Sequence, residues 1–521
     1  MTILKKNTLL FICLLITLCI TYWPALVMPY VYHDEFRFWE RIPGSLAVHS
    51  LYYYLFAFGR FLGATILTIV GWLVNNVTDL NMIRFITLMQ LGLCGLFLMV
   101  WWHKYFVNPI NSFLATIIIL TLPPFQSIAM YAPNCIIATA ILLSLWAAVR
   151  TSQISLTEPW ERRIISPSAI LSILFLFFAL SIYASAATFY WIIVAIVILS
   201  NQAESQNNFK NQLINFFSIG TIALVIYALI LKLFKSIVIP HTFGMYNPYV
   251  LTTDVLGRLK WFMREPLVNA LNLWNIFPKT SYAIIAFIFI LSGGLISIRD
   301  VIKHYRNGKK GENFVRRFLN LFLFLLLLIL SFLPNLLASG EAPFYRCSTA
   351  LTSIILLTLL WAIQQWLSVF PKPSQPFILT FILFIGFIYG VLQAQKTVLY
   401  DRVIPSSIEF NYIKHIFKKT DLNQYKQIYF IRPQLFNLKY RYDEFAAPST
   451  HFPQDSVGIT LCVARELGKE NQVYSNRMKI TSATYPPTES DLKESTLIID
   501  MTKLFNSSRI LQYLREETKE R

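Results

Sequence analysis

Apolar runs of about 20 residues recur along the first three quarters of the chain and restrict its fold more than any other feature. A helix of that length crosses the roughly 30 Å hydrocarbon core of a bilayer. Only 14% of the residues are charged and the mean hydropathy is +0.53, whereas soluble domains carry about 25% charged residues. No segment shows the roughly ten-residue alternation of an outer-membrane barrel. The sequence therefore predicts an α-helical polytopic membrane protein.

Hydropathy places about eleven transmembrane helices in residues 1–395. The predicted spans are 8–28, 81–101, 112–130, 135–149, 167–184, 186–200, 213–232, 281–298, 318–337, 347–367 and 376–395. Lysine and arginine concentrate in the loops of one side, which the positive-inside rule makes cytoplasmic. An odd number of spans then puts the N-terminus inside, and leaves residues 29–80, 236–280 and 396–521 outside. No small-residue cleavage site follows the first run, so we expect an uncleaved span rather than a signal peptide.

Acidic residues are scarce before residue 396, and all of them lie in predicted loops. Ion-coupled transporters and proton pumps commonly place a carboxylate inside a helix, so that class of protein is disfavoured. Asp34 and Glu35 stand side by side soon after the first span. Neighbouring carboxylates at a membrane surface repel each other and are costly to desolvate, which indicates a role in chemistry or binding.

The loop of residues 29–80 also carries Arg37, Arg41 and Arg60. Its aromatic and aliphatic residues suit one or two helices that lie in the membrane interface. Arginine is suited to bidentate recognition of phosphate. A carboxylate pair beside arginines therefore predicts an acid–base site that also binds an anion. The structural alternative is that the pair caps an interfacial helix or forms ion pairs with Arg37 and Arg41.

The order of these features resembles the membrane glycosyltransferases of the GT-C superfamily: a first span, an external Asp34-Glu35 pair near Arg37, and an aromatic helix with the segment GRFLG at 59–63. The sequence is most similar to the bacterial GtrII-like group, in which a D-D or D-E pair with a nearby arginine precedes a G-R-x-L-type segment. The resemblance covers about the first 100 residues and extends to the later spans only through hydropathy. Asp-Glu replaces Asp-Asp here, which leaves open which carboxylate does the chemistry.

The resemblance implies inverting transfer of a sugar from a polyprenyl-phosphate-linked donor to a glycan or glycolipid acceptor, outside a bacterial cytoplasmic (inner) membrane. The acceptor would be a surface glycoconjugate such as the O-antigen of lipopolysaccharide. Asp34 would be the general base, and Glu35 would orient the acceptor or bind a divalent cation, Mg²⁺ or Mn²⁺; the reverse order is the alternative. Arg37 and Arg60 would bind the donor phosphate. No other cofactor is implied.

Two further external segments carry candidate ligands for the donor. Arg258 and Lys260 lie among tyrosines and tryptophans, a mixture that suits a sugar phosphate, although the head groups of membrane lipid attract the same residues. Arg346 precedes a late span. There the resemblance implies a ligand for the donor phosphate, and a snorkelling side chain would give the same pattern.

Other kinds of site have little support in the sequence. The basic loop 299–317 has few interleaved aromatic residues, so attraction to membrane lipid explains it and no nucleic-acid partner is expected. No glycine-rich phosphate loop is present, which argues against direct use of ATP or a nucleotide sugar. The six cysteines have no spacing typical of a disulfide framework or a zinc site.

From residue 396 the composition changes to that of a small soluble α/β domain. Buried strands are predicted at 428–431 and 496–500, and helices near 406–418, 455–469 and 504–516. We therefore expect a GT-C-like membrane domain, residues 1–395, followed by an extracytoplasmic domain, residues 396–521. Two rival functions remain. A flippase or transporter of lipid-linked saccharides is disfavoured by the absence of intramembrane carboxylates, and a polymerase or ligase of lipid-linked glycans would not need the Asp34-Glu35 pair.

Overall fold

The chain is mostly helical in a computed structural model that describes the greater part of its residues. The described residues are 2–38, 55, 58–105, 108–199, 206–238, 252–277, 279–306, 322–338, 340, 344–432, 453–475, 478–488, 495–502 and 504. The helices follow the long apolar runs because a backbone that crosses lipid must satisfy its polar groups within its own segment. The protein is thus a helical, multi-pass membrane protein with a small sheet near its C-terminus.

The helices of the first 240 residues are α1 (Thr2–Val27), α2 (Phe61–Leu73), α3 (Val77–Tyr105), α4 (Pro109–Leu120), α5 (Pro123–Met130), α6 (Cys135–Ser152), α7 (Trp160–Ile164), α8 (Pro167–Ala187), α9 (Tyr190–Leu199) and α10 (Gln206–Val238). Two 3₁₀ segments, His33–Phe38 and Ala132–Asn134, follow α1 and α5.

The later helices are α11 (Val255–Arg264), α12 (Pro266–Leu271), α13 (Thr280–Arg306), α14 (described over 322–330), α15 (Leu333–Leu337), α16 (Thr349–Leu367), α17 (Gln375–Thr397), α18 (Ile404–Lys419), α19 (Pro453–Glu466) and α20 (Glu470–Ser475). A 3₁₀ turn, Tyr345–Cys347, precedes α16, and a π-helix, Val398–Val403, joins α17 to α18.

Eight helices in the described part of the chain are long and apolar enough to cross a membrane. They are α1, α3, α6, α8, α10, α13, α16 and the continuous helix Gln375–Lys419. Each coincides with a predicted span. The predicted span 112–130 is divided into α4 and α5, which meet at 68°. Pro123 and Pro124 cause the break, because proline lacks the amide hydrogen that would continue α4 and clashes with its last turn.

The two remaining predicted spans are only partly matched by long helices. The span 186–200 contains α9, which has ten residues and is too short to cross a bilayer by itself. The span 318–337 contains α14 and α15, and residues 318–321 lie outside the described part of the chain. Much of the predicted external loops, residues 39–54 and 239–251, also lies outside it.

The C-terminal domain contains a three-stranded parallel sheet with the order β2-β1-β3. Its strands are β1 (Gln427–Ile431), β2 (Lys479–Ala483) and β3 (Thr496–Asp500). Ile428 of the central strand aligns with Ile480 on one side and Leu497 on the other. The predicted strands at 428–431 and 496–500 are confirmed, β2 was not predicted, and the predicted helix at 504–516 falls outside the described residues.

The C-terminal domain contacts the segments that flank the loop predicted to be the first external one. The hydroxyl of Ser407 donates a hydrogen bond of 2.7 Å to the carbonyl of Pro29, just after α1. The carboxylate of Glu466 accepts a hydrogen bond of 2.9 Å from the amide of Val77, the first residue of α3. This second contact satisfies one of the amides that a helix start leaves without an intrahelical partner. The domain therefore lies on the same side of the membrane helices as the loop that carries Asp34 and Glu35.

Candidate functional site

Glu35 is completely buried within the 3₁₀ segment His33–Phe38. Its Oε2 accepts a hydrogen bond of 2.9 Å from the amide of Tyr32, and its Oε1 accepts one of 2.8 Å from the amide of Ala132. Nη2 of Arg84 donates to both oxygens, at 2.8 and 2.9 Å. The carboxylate thereby joins the first external loop to α3 and to the turn after α5. A fully buried carboxylate persists because charge and hydrogen bonds compensate its desolvation.

Arg84 occupies the first third of α3 and is as deeply buried as Glu35. Its guanidinium carbon lies 3.7 Å from the centre of the Tyr30 ring, and Nη2 also donates to the carbonyl of Tyr30. The Tyr30 hydroxyl in turn donates to the carbonyl of Met130, at the end of α5. Burial raises the pKa of the Tyr30 phenol above its usual value, so this hydroxyl stays protonated and keeps donating. We call Glu35, Arg84 and Tyr30 the Glu35 anchor.

The geometry of the Glu35 anchor does not suit a divalent cation. A metal ion would compete with the Arg84 guanidinium for the same two oxygens and would lie beside its positive charge. Among the described residues, no group of three or more histidine, cysteine, aspartate or glutamate side chains could hold a metal ion. The residues present therefore do not fit Mg²⁺ or Mn²⁺ at Glu35.

Asp34 precedes Glu35 in the same 3₁₀ segment, so its backbone is held by the anchor. The side chains of Asp34 and Arg37 lie outside the described part of the structure, and the predicted roles of both remain predictions. Both oxygens of Glu35 are engaged by protein groups, so the described structure gives Glu35 a role in holding this segment.

The C-terminal part of the chain also contacts the residues around Asp34. The guanidinium carbon of Arg402, in the π-helix, lies 3.3 Å from the centre of the Tyr32 ring. Phe36 is buried against Gly458 of α19, where a Cβ atom would lie only 2.3 Å from Cβ of Phe36. Residues on both sides of Asp34 are thus fixed, and π-helical turns within long helices are frequent at functional sites.

Helix α5 links the Glu35 anchor to a second group of predicted site residues. All eight of its residues are buried. It ends at Met130, which accepts the Tyr30 hydrogen bond, and it packs against the 3₁₀ turn Tyr345–Cys347. A buried helix in this position can keep the two groups at a fixed separation.

The second group brings together two of the predicted phosphate ligands. The guanidinium carbon of Arg60 lies 4.2 Å from the centre of the Tyr183 ring. The hydroxyl of Tyr183 lies 3.3 Å from Sγ of Cys347, the residue after Arg346. Arg60 and Arg346 are both partly exposed. We call Arg60, Tyr183, Arg346 and Cys347 the arginine cluster; guanidiniums are the type of group that binds an anion such as phosphate.

Arg258 lies near the arginine cluster, and its side chain is engaged by other protein groups. It is 5% exposed, stacks on Trp261 at 4.4 Å and donates hydrogen bonds of 2.8 Å to the carbonyls of Asn335 and Gly340. The Asn335 side chain contacts Ser185 and the carbonyl of Cys347. Arg258 therefore supports the loop that precedes the cluster.

Lys260 does not join this arrangement. It is exposed, and it follows Arg258 by two positions in α11, which turns the two side chains to different faces of the helix. Of the five predicted donor ligands, the described structure therefore brings together Arg60 and Arg346, with Arg258 behind them.

Among the charged residues that hold the site, Arg84 and Arg402 were not predicted. Arg84 had a detectable signal, because it is a lone charge within the apolar run 81–101, and intramembrane charges are rare unless paired or functional. Arg402 had no such signal in the sequence, because its contact with Tyr32 depends on how the C-terminal domain docks. No family model matches the chain, and no curated protein matches it.

Proposed function

We propose that the chain is a GT-C-like glycosyltransferase that moves a sugar from a polyprenyl-phosphate-linked donor to a glycan or glycolipid acceptor at the outer face of the bacterial cytoplasmic membrane. One observation carries the proposal: Glu35 anchors the segment that contains Asp34, and the buried helix α5 links that anchor to the arginine cluster. A transfer that releases a phosphate needs a general base on a well-positioned segment and cations near the leaving group.

In the proposed reaction, one group of the protein assists the attacking hydroxyl and another assists the leaving phosphate. The carboxylate of Asp34 takes the proton from the acceptor hydroxyl while the hydroxyl oxygen attacks the anomeric carbon. The bond from that carbon to the phosphate oxygen breaks as the new bond forms on the opposite face, so the configuration inverts. The electron pair leaves on the polyprenyl phosphate, whose charge Arg60 and Arg346 stabilise. Glu35 contributes by holding Asp34 in place.

The proposed topology has eleven crossings with the N-terminus in the cytoplasm. Three contacts support the crossings that are not made by one long helix, namely the bent pair α4–α5 and the segment that contains α9. The end of the bent pair α4–α5 returns to Tyr30, on the side where α1 ends. Ser185, near the end of α8, contacts Asn335, whereas Asn211, near the start of α10, donates to the carbonyl of Leu156 in the opposite loop. These contacts support a crossing between α8 and α10 that includes the short helix α9.

The decisive experiment compares Asp34→Asn with Glu35→Gln in purified protein, using a polyprenyl-phosphate sugar as donor. We expect Asp34→Asn to reduce kcat by about 10²-fold or more with an unchanged thermal midpoint, as loss of a general base does. Glu35→Gln should lower the thermal midpoint as well as activity, because it disturbs the anchor.

Three outcomes would point elsewhere. Full transfer activity in Asp34→Asn would remove Asp34 as the base. Saccharide translocation without transfer would favour a flippase. Glycan polymerisation that is indifferent to both substitutions would favour a polymerase or ligase. Activity and thermal stability are therefore measured on the same preparations.

A further inference from the structure

Arg163 is a buried cation at the opposite end of the helices from Glu35. It lies in the short helix α7, between α6 and α8, and is 8% exposed. Its Nη1 donates a long hydrogen bond of 3.4 Å to Oδ1 of Asn215 in α10. Asn215 is 4% exposed, so both partners are largely closed off from water.

No described residue supplies a counter-ion for this guanidinium within 4 Å. In addition, Nε of Arg163 and Nδ2 of Asn215 are buried without a hydrogen-bond acceptor among the described residues. Both atoms are donors, so what the site lacks is an acceptor, and the positive charge favours an anionic one. A buried cation with neither a counter-ion nor full hydrogen bonding is costly, and such a group calls for an explanation.

The surroundings of Arg163 indicate what kind of anion would bind. Three large apolar side chains near it in sequence are exposed: Trp160 by 47%, Ile165 by 70% and Ile170 by 49%. Such exposure is typical of surfaces that meet lipid, and tryptophan is favoured at head-group depth. The predicted topology makes this side cytoplasmic, where anionic lipids concentrate and basic pockets between helices bind their head groups.

We infer that Arg163 and Asn215 bind the phosphate of an anionic phospholipid in the inner leaflet. The phosphate supplies the missing acceptor and the negative charge, and the acyl chains lie along the exposed apolar surface at Ile165 and Ile170. The inference does not depend on the proposed glycosyltransferase activity. A free phosphate ion offers the same hydrogen-bonding chemistry but would gain nothing from the apolar surface.

Native mass spectrometry of the full-length protein tests the inference, with phosphatidylglycerol, phosphatidylcholine and inorganic phosphate as separate probes. We expect wild-type protein to retain phosphatidylglycerol in preference to the other two. Arg163→Gln should weaken that binding by at least about tenfold, because it removes a charge-assisted hydrogen bond. Arg162→Gln is the matched control, since Arg162 is the exposed neighbour in the same helix and should retain binding.

Asn215→Asp separates lipid binding from folding. The substitution keeps the shape of the side chain and places a carboxylate next to Arg163, so the protein itself supplies the acceptor. We expect the variant to fold with an equal or higher thermal midpoint and to lose preferential binding of phosphatidylglycerol. Retention of the lipid by both Asn215→Asp and Arg163→Gln would overturn the inference. So would equal binding of phosphatidylglycerol and phosphatidylcholine, or displacement of the lipid by inorganic phosphate.

Discussion

Glu35 and Arg84 form an ion pair from which water is excluded. Loss of one partner of such a pair changes the free energy of unfolding more than loss of a partner on the surface. Both side chains are fully buried, and their separation along the chain is 49 residues. The pair also satisfies the amides of Tyr32 and Ala132. The ion pair therefore connects three segments of the fold through hydrogen bonds and charge.

Loss of the Glu35 charge should destabilise the protein strongly. Glu35→Gln leaves Arg84 buried without a counter-ion, at an expected cost on the order of 3–5 kcal/mol in the free energy of unfolding. Adding Arg84→Met should restore part of the loss, because no unpaired charge remains and the introduced glutamine still offers its one oxygen to one of the two amides. Thermal unfolding of the purified protein measures both. The exposed pair Arg465–Glu470, at 3.6 Å, is the control, and Glu470→Gln should change stability by no more than about 1 kcal/mol.

The arginine cluster leads to a prediction about donor use. Arg346→Gln should reduce kcat/KM for the lipid-linked donor by about tenfold or more, because it removes a cation that we propose stabilises the leaving phosphate. The KM for the acceptor should be unchanged. Arg264→Gln, an exposed arginine in α11, serves as the control. An equal loss of activity in both variants would mean that overall positive charge, and not the position of Arg346, determines use of the donor.

At the scale of elements, close helix contact positions the arginine cluster. Gly63 of α2 packs against the backbone of α8, and a Cβ at that position would lie 2.6 Å from the carbonyl oxygen of Ile182. Ile182 precedes Tyr183, on which Arg60 stacks. The glycine therefore sets the distance between the helix that follows Arg60 and the helix that carries Tyr183.

Gly63→Ala should separate these two helices. We expect a loss of stability of about 1–3 kcal/mol, typical of an overpacked site, and a higher KM for the donor because Arg60 moves away from Tyr183. Gly294→Ala in α13 is a matched control, since a Cβ there meets nothing within 4 Å and alanine favours a helix. Comparable effects of the two substitutions on the thermal midpoint would show that the contact with Ile182 is not limiting.

The sequence was most informative where one physical requirement dominates. Eight predicted spans match helices because a run of apolar residues that long has few alternatives to a membrane helix. Strand β2 was not predicted because its segment, Lys479–Ala483, is mostly polar and partly exposed. It lacks the alternation of apolar and polar residues that indicates a half-buried strand. The partner of Glu35 could not be predicted either. Nearby Arg37 and Arg41 were the alternatives, whereas Arg84 is brought in by the packing of α3.

At the scale of the whole molecule, the C-terminal domain contacts both ends of the segment between α1 and α3. Ser407 contacts Pro29, Glu466 caps the start of α3, and Arg402 stacks on Tyr32. The first two of these contacts join residues that are 378 and 389 positions apart in the chain. Because the domain contacts the segment that contains Asp34, a displacement of the domain can be transmitted to the proposed catalytic carboxylate.

Gly458→Ala tests whether docking of the domain positions the site. The added Cβ would clash with Phe36, and the Glu35 anchor prevents the 3₁₀ segment from moving away, so we expect α19 to shift. Cys462, one turn further along α19, reports the shift. It is fully buried, and burial, together with the charges of Glu466 and Glu35, raises the pKa of its thiol well above the usual value. The folded wild-type protein should therefore resist a membrane-impermeant maleimide at Cys462.

In Gly458→Ala we expect labelling of Cys462, followed by peptide-resolved mass spectrometry, to become several-fold faster, and kcat for sugar transfer to fall in parallel. Val457→Ala is the control, because Val457 is the exposed neighbour in the same helix and its truncation relieves no contact with Phe36. Faster labelling with unchanged kcat would show that the domain docks on the loop without positioning Asp34. Unchanged labelling would show that Phe36, and not α19, yields to the added methyl group.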